Sequence, residues 1–416
     1  MLSRRVFLKN GAFAMLSLGF APSFLARTAY ASGASTRSRR LIAIFQRGAV
    51  DGLNVVVPFG EAEYYRARPS LAIPRPNAGD DDAAIDLDGF FGFNPRLRPL
   101  KPLWDARRLA IVHACGSPDS TRSHFDAQDY METATPGTKS TGDGWLNRYL
   151  QARHAETPEP FRAVSVANGL PRMLQGRAPA VALHQIDQFA IRAGQSSDRV
   201  SALFERAYGL SPDSVLNGTG HETFDAIRLL KIADPAQYEP EHGAEYPRNP
   251  FGQALRQIAQ LTKANVGLEV AFADIGGWDT HVNQGAAQGQ LATRLDDFAR
   301  SIAALVADLG DRMADTVVLT MSEFGRAVKE NGNRGTDHGH GNAMLVIGGG
   351  VGGGRVYGAW PTLASERRYD GRDLAVTTDF RDVFAEIVVR HLGVGDASAI
   401  FPGHAVSAAR FPGLFA

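Results

Sequence analysis

Thr316-Val317-Val318-Leu319-Thr320-Met321, followed at once by Ser322-Glu323-Phe324-Gly325-Arg326, is an apolar run that stops abruptly in polar and charged residues. The run has the length of a strand. Its apolar residues sit at adjacent rather than alternate positions, as in a strand covered on both faces. Similar runs at Leu41 to Gln46, Leu109 to Ala114, Ala180 to His184, Leu268 to Ala273 and Met344 to Ile347 read as further strands. Helical patterns lie between them. Leu291, Leu295, Phe298, Ile302 and Leu305 recur every three or four residues as one apolar stripe, and Val383, Ile387, Val388 and Leu392 do so near the end. Strand-then-helix order predicts an α/β fold, an α/β/α sandwich around a largely parallel sheet, over an all-helical or all-β one.

Residues 187–249 interrupt this order. Helices are expected around residues 199–208 and 222–232, and the Pro-, Glu- and Gly-containing stretch from Asp234 to Pro250 reads as loop. The segment is expected to be a helical insertion in one domain. Gly348-Gly349-Gly350-Val351-Gly352-Gly353-Gly354 lacks the Lys and Ser or Thr of a P-loop and the helix of a dinucleotide site, so a tight turn after a strand is the reading. Cys115, the single cysteine, ends an apolar run and is expected to be a small buried side chain.

Polar residues concentrate just after the apolar runs, where an open parallel sheet gathers ligands. Gln46 to Gly52 follows the first run, Arg122-Ser123-His124-Phe125 the second, and Gly276-Gly277-Trp278-Asp279-Thr280-His281 the Leu268 run. Ser322 to Arg326 follows the Thr316 run, and Thr336 to Asn342 leads into the Met344 run. Five distant segments are thus expected at one rim. Asp279 and His281 can converge on a metal from a turn, and Asp337, His338 and His340 add one oxygen and two imidazoles. Such mixed ligation suits divalent zinc, manganese or iron better than calcium. The bland alternative is that some of these histidines only hold loops or orient other ligands. Glu323 reads as a metal ligand or as a partner of Arg326 three residues on. Ser123 reads as a helix cap or as a nucleophile, with Arg122 stabilising the developing charge. Arg47, Arg122 and Arg326 either touch substrate oxygens or brace acidic loops.

The N-terminus carries Ser3-Arg4-Arg5-Val6-Phe7-Leu8-Lys9, an apolar stretch and Ala29-Tyr30-Ala31. The pattern resembles a twin-arginine signal peptide spanning residues 1–31, which implies passage through the twin-arginine translocation machinery to the periplasm or beyond. The chain has 44 Lys and Arg against 44 Asp and Glu; the first 31 residues hold Arg4, Arg5, Lys9 and Arg27 and no acid, so their removal takes the formal charge from 0 to −4. Weak acidity gives no reason to expect a nucleic-acid partner. No later apolar run approaches the roughly 20 residues of a membrane span, so the mature protein is expected not to cross a bilayer.

In order, Arg47 to Leu53, Arg122 to Asp129, Gly276 to His281, Ser322 to Arg326, Asp337 to Gly341 and Ile400-Phe401-Pro402-Gly403 resemble the DUF1501 family, over a single domain of about residues 40 to 405. That family is similar to the alkaline phosphatase and sulfatase superfamily. The resemblance implies an alkaline-phosphatase-like sandwich and divalent metal ions, commonly two. It implies Asp51 as an early bridging carboxylate, Ser123 as nucleophile, and Asp279 with His281 at one metal position. Asp337 and His338 would serve the other position, with His340 close by. His404 is a candidate last histidine. Asp279 and His281 stand closer together than in the phosphatase branch. Ser123 lacks the Cys-x-Pro-x-Arg context of formylglycine sulfatases, and Cys115-Gly116-Ser117-Pro118 does not restore it. The function implied is exported, metal-dependent hydrolysis of a phosphate or other anionic ester, on a small molecule or polymer. The alternative is a non-catalytic periplasmic binding or structural protein on the same fold.

Overall fold

The structure is a computed structural model that describes residues 39–415 apart from 140, 154–160, 168, 185 and 187–236. Nine strands form its main sheet: β1 (Arg40–Gln46), β2 (Leu109–Gly116), β3 (Ala163–Ser165), β4 (Val181–Ala182), β5 (Val270–Ile275), β6 (Thr316–Met321), β7 (Asn342–Gly348), β8 (Arg355–Tyr357) and β9 (Thr378–Asp379). Their order is β8-β2-β7-β6-β1-β5-β3-β4, with β9 also pairing β2. β1 lies central and parallel to β5 and β6, and β7 alone runs opposite, antiparallel to both β2 and β6.

The lack of alternation in the strand sequences has a direct cause. Ile42, Ile44, Ala271, Ala273, Val318, Leu345 and Ile347 face one apolar core, while Leu41, Ala43, Phe45, Val270, Phe272, Val317, Leu319 and Val346 face another. The first core is covered by α3 (Pro250–Lys263) and α4 (Gln290–Leu309). The second is covered by α2 (Trp145–Ala152) and α5 (Phe380–Glu386), with Met131 from α1 (His124–Thr133). This is the expected α/β/α sandwich. The α4 stripe of Leu291, Leu295, Phe298, Ile302 and Leu305 is wholly buried, each side chain stabilising the fold by about 1.5–3 kcal/mol. α3 starts where Asn249 accepts the Gly252 N–H at 2.7 Å and Pro250 occupies the first helical position.

The Val383 stripe belongs to α5 and the π-helical turn Ile387–His391 that continues it. Gly348, Gly349 and Gly350 all have positive φ (+88°, +51° and +76°), forming the tight turn after β7. Cys115 is buried, its sulfur 3.7 Å from that of Met344. Three short strands, β3, β8 and β9, lie outside the apolar runs read as strands. Each has only two or three residues, too few for any periodicity to register. The signal segment and the helices expected at 199–208 and 222–232 lie outside the described residues. Of the expected loop, Glu241 donates its backbone N–H to Asp308 at 2.8 Å, and the Tyr246 hydroxyl donates to the same carboxylate at 2.8 Å. Among the described residues no helix is long and apolar enough to cross a membrane.

Candidate metal centre

The antiparallel β7 makes the rim possible. Because it runs against its neighbours, the segment preceding it, Thr336 to Gly341, lies at the same edge as the segments that follow β1, β2, β5 and β6. Backbone contact locks these loops together. Gly48 has φ +114°, and a Cβ there would stand 2.9 Å from the Asp279 nitrogen, so only glycine lets the β1 and β5 loops meet. Arg326, fully buried after β6, joins four of the segments with one guanidinium. It donates to the carbonyls of Ala49 and Gly48 at 2.6 Å each, to those of Trp278 and Thr336 at 2.9 Å each, and to Asp279 Oδ1 at 2.7 Å.

Three imidazoles converge on Asp279. His124 Nε2 is 3.4 Å from Asp279 Oδ2, His338 Nε2 is 3.2 Å from Oδ1, and His281 Nε2 is 3.0 Å from Oδ1. The rings of His124 and His281 both pack on that of His338, with centroids 4.3 and 4.7 Å away. Each Nδ1 has an acceptor: Glu323 Oε1 at 2.8 Å from His124, the Arg122 carbonyl at 2.9 Å from His338, and Asp337 Oδ1 at 3.3 Å from His281. A carbonyl or ionised carboxylate only accepts, so Nδ1 carries the proton in each ring. In the neutral imidazole the lone pair is then on Nε2, facing the carboxylate.

The carboxylates are held ionised. Burial pushes Glu323 upward, but hydrogen bonds from His124, Gln128 and the Gly48 N–H outweigh it and keep its pKa below the ordinary value. Burial likewise opposes Asp279, and the hydrogen bond and charge of Arg326 prevail. Asp337 is lowered chiefly by its hydrogen bond from Asn331. The His124 pKa is raised by its hydrogen bond to Glu323 against the effect of burial, whereas burial lowers that of His338.

This donor set fits a divalent cation. One oxygen and two nitrogens, from His124, Asp279 and His338, lie within 4.8 Å of one another. His124 Nε2 is buried with no hydrogen-bond partner. His281 Nε2 and His338 Nε2 stand 2.9 Å apart, a distance at which two lone pairs repel unless a proton or a cation lies between them. Carboxylate and carbonyl acceptors behind ligating imidazoles are the usual support of a metal site.

The other residues singled out above have these places. Glu323 reaches the cluster through His124. Asp51 is fully buried, its Oδ2 accepting from Arg68 Nη1 and Gln284 Nε2 at 2.6 Å each, while its Oδ1 has no partner. Ser123 is the N-cap of α1, accepting the Asp126 N–H at 3.5 Å. Arg122 pairs with Asp373 at 2.6 Å and Asp370 at 3.2 Å, and Arg47 with Asp274 at 2.7 Å and Glu132 at 2.9 Å. His340 stacks on Tyr369 with centroids 4.2 Å apart. His404 pairs with Asp382 at 2.7 Å beside Arg410.

His124 is absent from the ligands expected from sequence, although it sits inside one of the quoted motifs. A signal for it exists. His124, Gln128 and Glu132 recur at every fourth position and so line one face of α1. That polar stripe is where the helix meets the rim: His124 and Gln128 both reach Glu323, and Gln128 and Glu132 both reach Arg47.

Residues 110–394 match the family described as "Protein of unknown function (DUF1501)". No curated protein matches the chain. Among solved structures, the PsFucS1 sulfatase from Pseudoalteromonas sp. is similar at a TM-score of 0.40 and 11% identity, over 91% of this chain and 73% of that one. The lipoteichoic acid synthase LtaP from Listeria monocytogenes is similar at 0.27 and 9% identity, over 70% of this chain and 57% of that one.

Proposed function

Because the chain belongs to the DUF1501 family, whose function is unknown, we propose from its rim that it is a metal-dependent hydrolase of phosphate or other anionic esters, exported by way of its twin-arginine-like N-terminus. The observation that carries the reading is the set of three imidazoles, each tied at Nδ1 and each presenting Nε2 to Asp279. His124, His281, His338 and Asp279 would hold the ion, and a nitrogen-rich set with one carboxylate favours zinc, manganese or iron. When bound, such a cation supplies positive charge to the anionic oxygens of an ester.

The chain's own groups do the rest. Glu323 fixes the His124 tautomer, and Arg326 keeps Asp279 ionised and in place. Ser123, immediately before His124, uses a lone pair as the cap of α1 and keeps its O–H to donate. Hydrolysis adds water across the ester. An oxygen of Ser123 or of water bonds to phosphorus or sulfur, the bond to the leaving oxygen breaks, and the leaving oxygen gains a proton. Where Ser123 attacks first, water then releases the acid and restores the hydroxyl. Arg122 lies at the same rim, held by Asp373 and Asp370.

A second reading is a binding protein without turnover. The capping role of Ser123 and the Asp51–Arg68 ion pair favour it, since both residues are then occupied structurally. Metal analysis of protein purified without chelator, with His124→Ala, Asp279→Ala and His338→Ala beside it, separates the outcomes. Stoichiometric metal that the variants lose, with turnover in a phosphate and sulfate ester screen, supports the hydrolase. Metal without turnover supports the binding protein. No metal after reconstitution overturns the hydrolase and brings a binding or structural role forward.

A further inference from the structure

Among the described residues two large apolar side chains stand exposed, and each directly follows a histidine of the cluster. Phe125, after His124, is 89% exposed, and Val282, after His281, is 51% exposed. Since the rings of His124 and His281 both pack on His338, the two chain segments that carry Phe125 and Val282 meet at the cluster.

Neither belongs to a loose end. Phe125 lies in the first turn of α1, behind the Ser123 cap. The Val282 carbonyl accepts from Gln290 Nε2 at 3.0 Å, and the next residue, Asn283, donates its N–H to the Asn333 carbonyl at 3.0 Å. The backbone therefore holds an apolar side chain next to each of two histidines of an imidazole-rich centre, in water, where its burial would be favourable. One phenyl ring and one isopropyl group cover a small ligand. They fall far short of the roughly 800 Å² per partner of a stable protein interface.

We infer that the substrate is amphiphilic: an anionic ester whose acid group sits at the histidine cluster and whose aryl or alkyl group lies against Phe125 and Val282. The inference rests on the reading of the cluster as an anionic-ester site, and makes these two residues determinants of specificity.

Calorimetric binding of phenylphosphonate and methylphosphonate to the full chain supplied with zinc or manganese tests it, because neither phosphonate offers an ester bond to cleave. The parent protein should bind the phenyl compound about tenfold more tightly. Phe125→Ser and Val282→Ser, both at exposed positions that leave the core intact, should each close that gap by about threefold or more and leave methylphosphonate within about twofold. Equal affinity of the parent for both compounds, or a gap unchanged in both variants, overturns the inference while the anion site stands. Binding of neither compound overturns the anion site and the inference together.

Discussion

Glu323 Oε1 accepts the Nδ1–H of His124 at 2.8 Å, joining residues 199 positions apart at the centre of the rim. The same oxygen accepts from Gln128 Nε2 at 2.9 Å and the Gly48 N–H at 2.8 Å. A fully buried carboxylate with three donors on one oxygen is a fixed object, and it transmits that fixity to one imidazole. His124 consequently presents Nε2 without cost at the moment of binding.

Glu323→Gln keeps the shape and removes the charge. The imidazole loses its ionised acceptor and becomes a poorer donor to a cation, so metal affinity should fall about 10- to 100-fold. Competition against a chelating dye measures this, with a thermal melt of the metal-free protein as control. Unchanged affinity would mean that Glu323 serves only the packing of α1.

Arg326 is expected to be the most sensitive position of the rim for folding. Its guanidinium serves four backbone carbonyls and Asp279 with no exposure to solvent. Arg326→Ala leaves those acceptors unpaired and should cost about 3–5 kcal/mol. Arg326→Lys should rescue little, because an ammonium group lacks the planar fork. Urea unfolding of the metal-free variants gives the values.

The sandwich was legible because its cause is local. Strands covered on both faces must be apolar throughout, as Val317 and Val318 show by entering opposite cores. The rim was legible for a similar reason, since residues at strand ends follow the strands in sequence. The direction of β7 was not legible. It depends on which neighbour Met344 to Ile347 pairs with, a long-range fact, yet it brings Asp337 and His338 to the rim. Partner choice was equally hidden. Arg47 reads as a substrate contact or a brace until Asp274, Gln128 and Glu132 are found around it.

Asp51 gives a sharp test of such hidden pairing. Its ion pair with Arg68 is excluded from solvent on both sides, and removing one charge from a buried pair leaves the other uncompensated, at about 3–5 kcal/mol. Asp51→Asn should destabilise metal-free protein by that order while metal affinity stays within about threefold. A loss of metal without a loss of stability would instead make Asp51 a ligand, through its unpartnered Oδ1.

His113 is expected to govern part of the acid sensitivity. It is buried in β2, its Nε2–H donating to the Val56 carbonyl at 3.0 Å and its Nδ1 accepting the Ala114 N–H at 2.9 Å. Burial pushes its pKa down to about 4, with the Val56 hydrogen bond acting weakly the other way. The unfolded chain takes up this proton near the ordinary pH of about 6.5, and the native chain resists until about 4. Its contribution is therefore fully present above about pH 6.5 and is lost as pH falls toward 4, by about 2 kcal/mol at pH 5. A glutamine can donate and accept at the same place without titrating. The stability of His113→Gln relative to the parent should thus rise by about 2 kcal/mol between pH 7.5 and pH 5. His340 and His391, also lowered by burial, keep a residual slope in the variant. Urea midpoints across that range decide it, and parallel curves for the two proteins would show that His113 does not carry the effect.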